Sequence, residues 1–347
     1  MPPCIFWKRK LRLIVAAWED ERRGMEKRFD IVSAGISAVD DLKYVDEYPP
    51  IDCKIPVHGS TRQGGGPACT ATAAAGTLGG RTAYVARFGE GELARYMVWA
   101  LGQHGVDTSH MVRDAEGGPY HSVIVVDRKG HRNVFYDPAL YRTVRAEDMP
   151  DDLIASTALV LLDHITDPPL TPVAAKARRL SVPVLGDLEG ETEASRGLAA
   201  LTDYLVVPRH WAAWATGAGD PTKACAALAS AERRATVVTN GVDGCYFSTP
   251  AHREVRHVPA FQVQAFDTNG CGDTFHGAFA LSVARGLEVA DAIVIASATA
   301  ALKAVAAGGR KRGWEALPVL DAVREFLGER LQEPERSALL QKMEALR

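Results

Sequence analysis

The feature that most constrains this chain is the order of its apolar runs: short strand-like stretches alternate with longer helical ones along most of its length. Phe29-Asp-Ile-Val-Ser-Ala-Gly35 reads as a buried first strand that ends at glycine. Segments 84–88, 158–162, 182–186, 204–207 and 235–239 read the same way. Helical stretches lie between them at 68–78, 93–104, 172–180, 191–201, 212–217 and 221–231; Gly79-Gly80 ends the first and Gly105 the second. Alanine-rich helices follow over 274–285 and 289–306. Such alternation predicts an α/β fold with a doubly wound, mostly parallel sheet. Two runs break the rhythm. His121–Val126 and Asn133–Tyr136 flank Asp127-Arg-Lys-Gly-His-Arg132, a hairpin signal, and predict a small β-sheet apart from the main one. From Ile36 to about Arg62 the pattern is less regular, with a turn at Tyr48-Pro-Pro-Ile-Asp52.

With 347 residues, the chain holds one large α/β domain with an appendage, or two domains. A formal net charge of −3 argues against general attachment to nucleic acid or an anionic membrane. The six cysteines are scattered without metal or redox spacing, as expected of reduced thiols in a cytoplasmic protein. The ten histidines include no HExxH-type pair, so no protein-built zinc site is expected. Residues 1–27 read as a leader outside the fold, with Met25 as an alternative start. Their apolar run is broken by Arg12, is followed by Glu19-Asp-Glu-Arg-Arg23, and is far short of a membrane span. The fold is expected over 28–330, and a terminal helix over 331–347.

The segment Asp267-Thr-Asn-Gly-Cys-Gly-Asp273 stands just before the helical stretch 274–285. Gly270 and Gly272, separated by Cys271, leave backbone N–H groups open at a helix N-terminus, which holds phosphate oxygens well. A carboxylate there, Asp273, can take the proton of a hydroxyl as it attacks a bound phosphate. By itself the pattern is equally that of a glycine turn with Asp273 as a helix cap.

Asp267–Ala280 resembles the C-terminal signature of the ribokinase-like (PfkB) carbohydrate kinases, Asp-Thr-x-Gly-Ala-Gly-Asp, with Cys271 in place of the usual alanine. Gly65-Gly66-Pro67-Ala68-Cys69-Thr70, ahead of an alanine-rich helix, is similar to the N-terminal signature of the same family. The resemblance implies Asp273 as general base, with Gly270, Cys271 and Gly272 cradling the migrating phosphoryl group. It also implies that Gly65 and Gly66 approach the sugar, with Thr70 where an asparagine is usual. Asp40, in preference to its neighbour Asp41, would bind two substrate hydroxyls, since a carboxylate offers two acceptors in one plane. Arg132, in the turn Gly130-His131-Arg132, would reach the substrate as it does in ketohexokinase-type members.

Thr239-Asn240-Gly241-Val242-Asp243-Gly244 resembles the family's nucleotide-phosphate loop. Thr239, Gly241, Gly244, Thr268 and Gly308 are therefore expected to line an ATP site. Where many members carry Asn-x-x-Glu, this chain has Pro208-Arg209-His210-Trp211-Ala212, so Mg2+ would be held mainly by ATP phosphates and water. Asp163 and Asp187, at two strand ends, are candidates for supporting roles.

The expected architecture is a ribokinase-like doubly wound sheet with a small β-sheet lid from about 37–62 and 118–145. The expected activity is ATP-dependent phosphorylation of a primary hydroxyl on a ketose or ketose derivative, fructose-like or sulfofructose-like. The Arg310-Lys311-Arg312 cluster is a further receptor for an anionic substituent. Ribose, a nucleoside or a sugar phosphate are the alternatives, and in several relatives the lid pairs two copies, which implies a homodimer. A non-catalytic sugar sensor is opposed by the presence of Asp273 and its glycines. A dinucleotide-dependent oxidoreductase is opposed by Gly35-Ile-Ser-Ala-Val-Asp40, which lacks Gly-x-Gly-x-x-Gly after the first strand.

Overall fold

The computed structural model of the chain describes residues 27–129, 131–163, 170–309 and 313–347, with 306–309 described by backbone alone. Apart from Lys27, the expected leader lies outside the described residues, as do Gly130 and the Arg310-Lys311-Arg312 cluster.

Seven strands form the parallel part of the main sheet: β1 (Phe29–Ala34), β4 (Thr82–Val85), β6 (Val106–Asp107), β10 (Thr157–Asp163), β11 (Val184–Asp187), β12 (Tyr204–Pro208) and β13 (Ala235–Thr239). Two antiparallel strands, β14 (Cys245–Ser248) and β15 (Arg256–Val258), extend one edge, giving the order β15-β14-β13-β12-β11-β10-β1-β4-β6. The inner strands are buried on both faces, which explains why they read as continuous apolar runs. Successive side chains serve opposite sides. Ile31, Leu161, Leu185, Val206 and Val237 pack into one core. Val32, Val160, Leu162, Leu205 and Val238 pack into the other. Fully burying each such side chain contributes roughly 1.5–3 kcal/mol, so helices on both faces are needed to cover the sheet.

The first core is covered by the helices Pro67–Thr77, Cys271–Ala284 and Val289–Gly309. The helix Cys271–Ala284 is buried without interruption from Thr274 to Ser282 because it lies between the other two. The second core is covered by Thr171–Arg179, Glu193–Ala199, Arg209–Thr216 and Pro221–Leu228. At the C-terminus, Glu335–Lys342 is helical and runs into a 3-10 turn over Met343–Leu346, and Leu339, Met343 and Leu346 bury against the first core. Among the described residues no helix is long and apolar enough to cross a membrane.

A separate four-stranded sheet has the order β3-β2-β8-β9: β3 is Gly59–Gly65, β2 Ala38–Tyr44, β8 Tyr120–Val126 and β9 Arg132–Asp137. The expected hairpin is β8 and β9. The stretch read as irregular after Ile36 instead holds both β2 and β3, paired antiparallel to each other, with β2 parallel to β8. Register places Asp40 opposite both Gln63 and Ser122. Asp41, one residue on, faces the other side and pairs with Arg62 and His121 at 2.8 Å each.

Candidate active site

Because β1, β10, β11, β12 and β13 are parallel, their carboxyl ends share one edge of the sheet. In open α/β sheets this edge is where ligands bind. Gly35, Asp163, Asp187, Pro208 and Thr239 all stand there, and the small sheet begins from the same edge three residues after β1.

Asp40 is buried on the inner face of the small sheet beside buried Gln63 and Ser122. Burial pushes its carboxyl up to about 6, against the hydrogen bonds of Ser122 and Gln63, while Asp41 adds to the rise. Asp41 is held down at about 2 by its hydrogen bond to Arg62. Adjacent residues of one strand thus present a desolvated inward carboxylate and an outward one paired with Arg62 and His121. Gly65 and Gly66 lie against this group. A Cβ at Gly65 would collide with Asp40 Oδ2, and Gly66, at φ +92°, would place one on the carbonyl oxygen of Ile36. The Asp163 carboxylate ties the same corner, accepting from the N–H groups of Ile36 at 2.7 Å and Ala68 at 3.2 Å.

The segment 267–273 differs in one respect from its reading as a loop before residue 274. The helix starts at Cys271, with Gly270 as its N-cap in the left-handed region (φ 72°). Asp273 sits inside the first turn and makes no cap bond, so it is not the helix cap. Asp267 Oδ1 accepts from Asn269 N at 2.9 Å, which curls the loop. A Cβ at Gly270 would stand 3.5 Å from Thr70 Cγ2 and 3.8 Å from Asp273 Oδ2, so Gly270 lies between the helix behind Gly65-Gly66 and the half-buried aspartate. Burial pushes Asp273 well above the usual carboxylate range, and the like charges of Asp187 and Glu189 push it further. Burial does the same to Asp187. A carboxylate so placed is a stronger proton acceptor than one in water.

On the other side of the loop lies a cavity of about 340 Å³. Thr239, Gly241 and Gly244 line it, together with Thr268, Cys271 and Gly272. Phe261, Val263, Phe275 and Ala301 supply an apolar wall. Two motifs about thirty residues apart in sequence thus meet around one space. Gly308 falls in the helix Val289–Gly309, with its surroundings outside the described residues. Cys271 is partly buried, and burial pushes its thiol up to about 11, so it fills space rather than offering a thiolate.

Arg132 opens β9, and its Nη1 donates to Asn269 Oδ1 at 3.1 Å. His131 turns away to Asp127. Thr70 Oγ1 accepts from Trp314 Nε1 at 3.1 Å, so its hydroxyl is already engaged by protein.

Several residues at this site carry no local signal. Trp314, Gln63 and Ser122 reach it through pairings distant in sequence. His276, in the helix Cys271–Ala284, contacts the carbonyl oxygens of Gly272 at 2.8 Å and Val206 at 3.1 Å and lies 3.4 Å from Asp187. At the position of the absent Asn-x-x-Glu, His210 Nε2 lies 3.0 Å from the Glu189 carbonyl oxygen. Among the described residues no group of three or more His, Cys, Asp or Glu is placed to hold a metal. The carboxylates whose charges act most on Asp273 are Asp187 and Glu189, hard oxygen donors of the kind Mg2+ takes.

Residues 29–315 match the family model described as pfkB family carbohydrate kinase. The chain is 31% identical over 272 residues to the bifunctional protein HldE of Azorhizobium caulinodans. That match covers 73% of this chain and 56% of the relative, so the chain spans little more than half of that relative's length. It is 27% identical over 241 residues to Fructokinase-2 of Oryza sativa subsp. japonica, covering 64% of this chain and 71% of that one. Among solved structures, Arabidopsis thaliana ribokinase complexed with ribose and ATP superposes with a TM-score of 0.75 at 21% identity, over 85% of this chain and 97% of the other. At that identity the likeness is one of fold.

Proposed function

Since the chain belongs to the pfkB family of carbohydrate kinases, we propose that it transfers the γ-phosphoryl group of ATP to a primary hydroxyl of a small sugar, with Asp273 as general base. One observation carries this reading. Asp273 stands in the first turn of a helix whose N-cap, Gly270, borders the Thr70 side of the site and whose Cys271 and Gly272 line the cavity of Thr239, Gly241 and Gly244. Sugar and nucleotide would therefore meet at this carboxylate.

In this reading Asp40 accepts two sugar hydroxyls, and the Gly65-Gly66 backbone lies along the sugar. Asp273 takes the proton from the attacking hydroxyl, and the amides of 270–272 receive the charge that develops on the transferred group. ATP supplies the phosphoryl group, with Mg2+ to neutralise its charge. Asp187 and Glu189 are the side chains that would hold the metal, through water, in the absence of Asn-x-x-Glu. The small sheet acts as a lid over 37–62 and 118–145, excluding water when it closes and limiting hydrolysis of ATP. Its outer strand β9 is exposed along its length, including Val134, Phe135 and Tyr136, and is the face by which two copies would pair as a homodimer.

The substrate favoured is a ketose or ketose derivative. The Gly64-Gly65-Gly66-Pro67-Ala68 segment and the Arg132 turn support it through their resemblance to ketohexokinase-type members, as does the similarity to a fructokinase. Ribose is the main alternative, since the fold is shared with a ribokinase. A kinase assay over a panel of ketoses, aldoses and nucleosides tests the reading, comparing the wild type with Asp273→Asn. The variant is expected to lose at least about a hundredfold in kcat, the scale of general-base catalysis. A wild-type rate in that variant would remove the mechanism.

A further inference from the structure

We propose that Lys303 is a positioning residue of the phosphoryl-transfer site: its buried ammonium grips Asp267 and so fixes the loop that presents the amides of 270–272. The proposal rests on the reading of that loop given above.

Lys303 belongs to the helix Val289–Gly309, and it is 1% exposed. Among the described residues it is the one lysine or arginine buried to that degree. Its Nζ lies 3.4 Å from Asp267 Oδ2. Stability alone does not account for this arrangement. An ammonium taken out of water carries a large desolvation penalty, and a buried ion pair is often no more stabilising than apolar side chains of the same volume. The helix is otherwise rich in alanine and aliphatic residues, so an uncharged residue would suit the packing at lower cost. What the charge does is local to the loop.

The other oxygen of Asp267 already serves the turn, accepting from Asn269 N at 2.9 Å. The backbone of the same step is held by the residue next to Lys303: Phe266 N and Asp267 N both donate to the Ala304 carbonyl oxygen, at 2.7 and 3.1 Å. Residues 303 and 304 therefore hold both the side chain and the main chain at the point where the loop begins. Six residues further on is Asp273. The ammonium's field also reaches the loop itself. Burial raises the Cys271 thiol, and Lys303 is the first charge opposing that rise. Near amides that receive a phosphoryl group, a fixed positive charge acts in the same direction as the helix N-terminus.

The experiment uses the full chain and four variants. Lys303→Met is similar in length without the charge, and Lys303→Gln keeps a donor without the charge. Lys303→Ala leaves a space that matches n-propylammonium in heavy atoms, and Asp273→Asn reports on the underlying reading. Both Met and Gln variants are expected to lose about tenfold or more in kcat, since sub-ångström misplacement at a reacting centre costs on this scale. Their KM for the sugar stays within about twofold of wild type, because Asp40 and its neighbours are untouched. In the Ala variant, n-propylammonium restores kcat in a saturable manner, whereas tetramethylammonium at equal ionic strength does not. A packing role alone would not respond in that way.

A wild-type kcat in either the Met or the Gln variant overturns the inference. So does an Ala variant that is slow, melts like wild type and gains nothing from n-propylammonium. If the Met variant fails to fold, the Gln variant and the rescue decide it. Asp273→Asn separates the two levels. If it is inactive while Lys303→Met is fully active, only the role of Lys303 fails. If it keeps the wild-type rate, the loop is not the catalytic centre and the underlying reading fails with it.

Discussion

Arg132 and Asn269, 137 positions apart, are joined by a 3.1 Å hydrogen bond from the arginine Nη1 to the asparagine side-chain oxygen. The bond links the first residue of β9, an edge strand of the small sheet, to the loop that leads into the helical turn holding Asp273. The bond is exposed, and an exposed bond of this kind contributes at most about 1 kcal/mol to folding. What it does is align the two, since it ties an arginine of the small sheet to the glycine loop.

Arg132→Ala is accordingly expected to separate activity from stability. The melting temperature should match wild type, because nothing buried is removed. Should Arg132 bond to substrate or phosphate, kcat/KM for the sugar falls about tenfold or more, the scale of a hydrogen bond to a charged group. Steady-state kinetics beside a thermal melt checks both halves, and an unchanged kcat/KM would take Arg132 out of the site.

Asp40 predicts a pH dependence of defined sign. Burial raises its carboxyl to about 6, so the ionised form, proposed to accept sugar hydroxyls, is lost as pH falls through about 6. An ordinary aspartate would lose it nearer 4. Below that point the Kd of the sugar, measured by direct binding so that protonation of Asp273 does not enter, is expected to rise roughly tenfold per pH unit. The same shift makes the charge a burden on the fold. A carboxyl with a raised folded pKa contributes stability that is present below its unfolded pKa and lost as pH rises through about 6. Asp40→Asn should therefore be as stable as wild type at pH 8 or more so, by up to about 3 kcal/mol, while binding sugar poorly. A variant that melts lower and keeps the wild-type KM would contradict both statements.

Two glycines of the site should respond in opposite ways to alanine. At Gly65 the added methyl would collide with Asp40 Oδ2 in a buried corner, so Gly65→Ala should lose about 1–3 kcal/mol of stability and weaken the sugar. At Gly272 nothing lies within 4 Å of the added methyl, and the residue lies inside the helix Cys271–Ala284, where alanine is favoured. Gly272→Ala should fold as well as wild type yet raise KM for ATP, because the methyl enters the cavity shared with Thr239 and Gly241. Denaturant melts and ATP titrations of the two variants distinguish them.

The sequence carries parts of this site to very different degrees, for physical reasons. Asp273, Gly270 and Gly272 are legible as a group because one short segment holds a glycine turn, open amides and a carboxylate. The main sheet is legible because strands buried on both faces leave unbroken apolar runs. β2 and β3 are not, because Asp40, Asp41, Lys43 and Arg62 interrupt the alternation. β2 pairs with β3 on one side and, on the other, with β8, some eighty residues away. The helix start was displaced by three residues because glycine suggests a loop, whereas Gly272 is helical and Gly270 alone carries the left-handed turn. Lys303 looks like a solvated lysine in an alanine-rich helix, and its burial follows only from what packs around it. The Asp40 and Asp41 pair shows the converse. Period-two alternation puts neighbours on opposite faces, but which of the two faces inward depends on where Gly65 and Arg62 fall.

Thr70 and Trp314 provide the most demanding prediction, because 244 positions separate them and no local pattern joins them. The indole N–H donates to Thr70 Oγ1 at 3.1 Å, and the ring lies where a Cβ on Gly64 would be 2.5–2.6 Å from it. Thr70 in turn borders Gly270. A segment beyond the long helix Val289–Gly309 is thus fastened against both β3 and the residue that borders the glycine loop. Thr70→Val keeps the shape and removes the acceptor, leaving a buried indole N–H unpaired, which costs about 1–3 kcal/mol. Trp314→Phe removes the donor and some volume, at a cost of similar size. If the bond is what couples them, the double variant is less destabilised than the sum of the singles by about 1 kcal/mol. Strict additivity in denaturant melts would mean that each residue acts through packing alone. Kinetics on the same four proteins tests the second half of the argument. Both single variants should slow kcat more than they raise KM for ATP, because the disturbance passes through Thr70 to Gly270 and the amides beside Asp273 rather than to the cavity of Thr239 and Gly244.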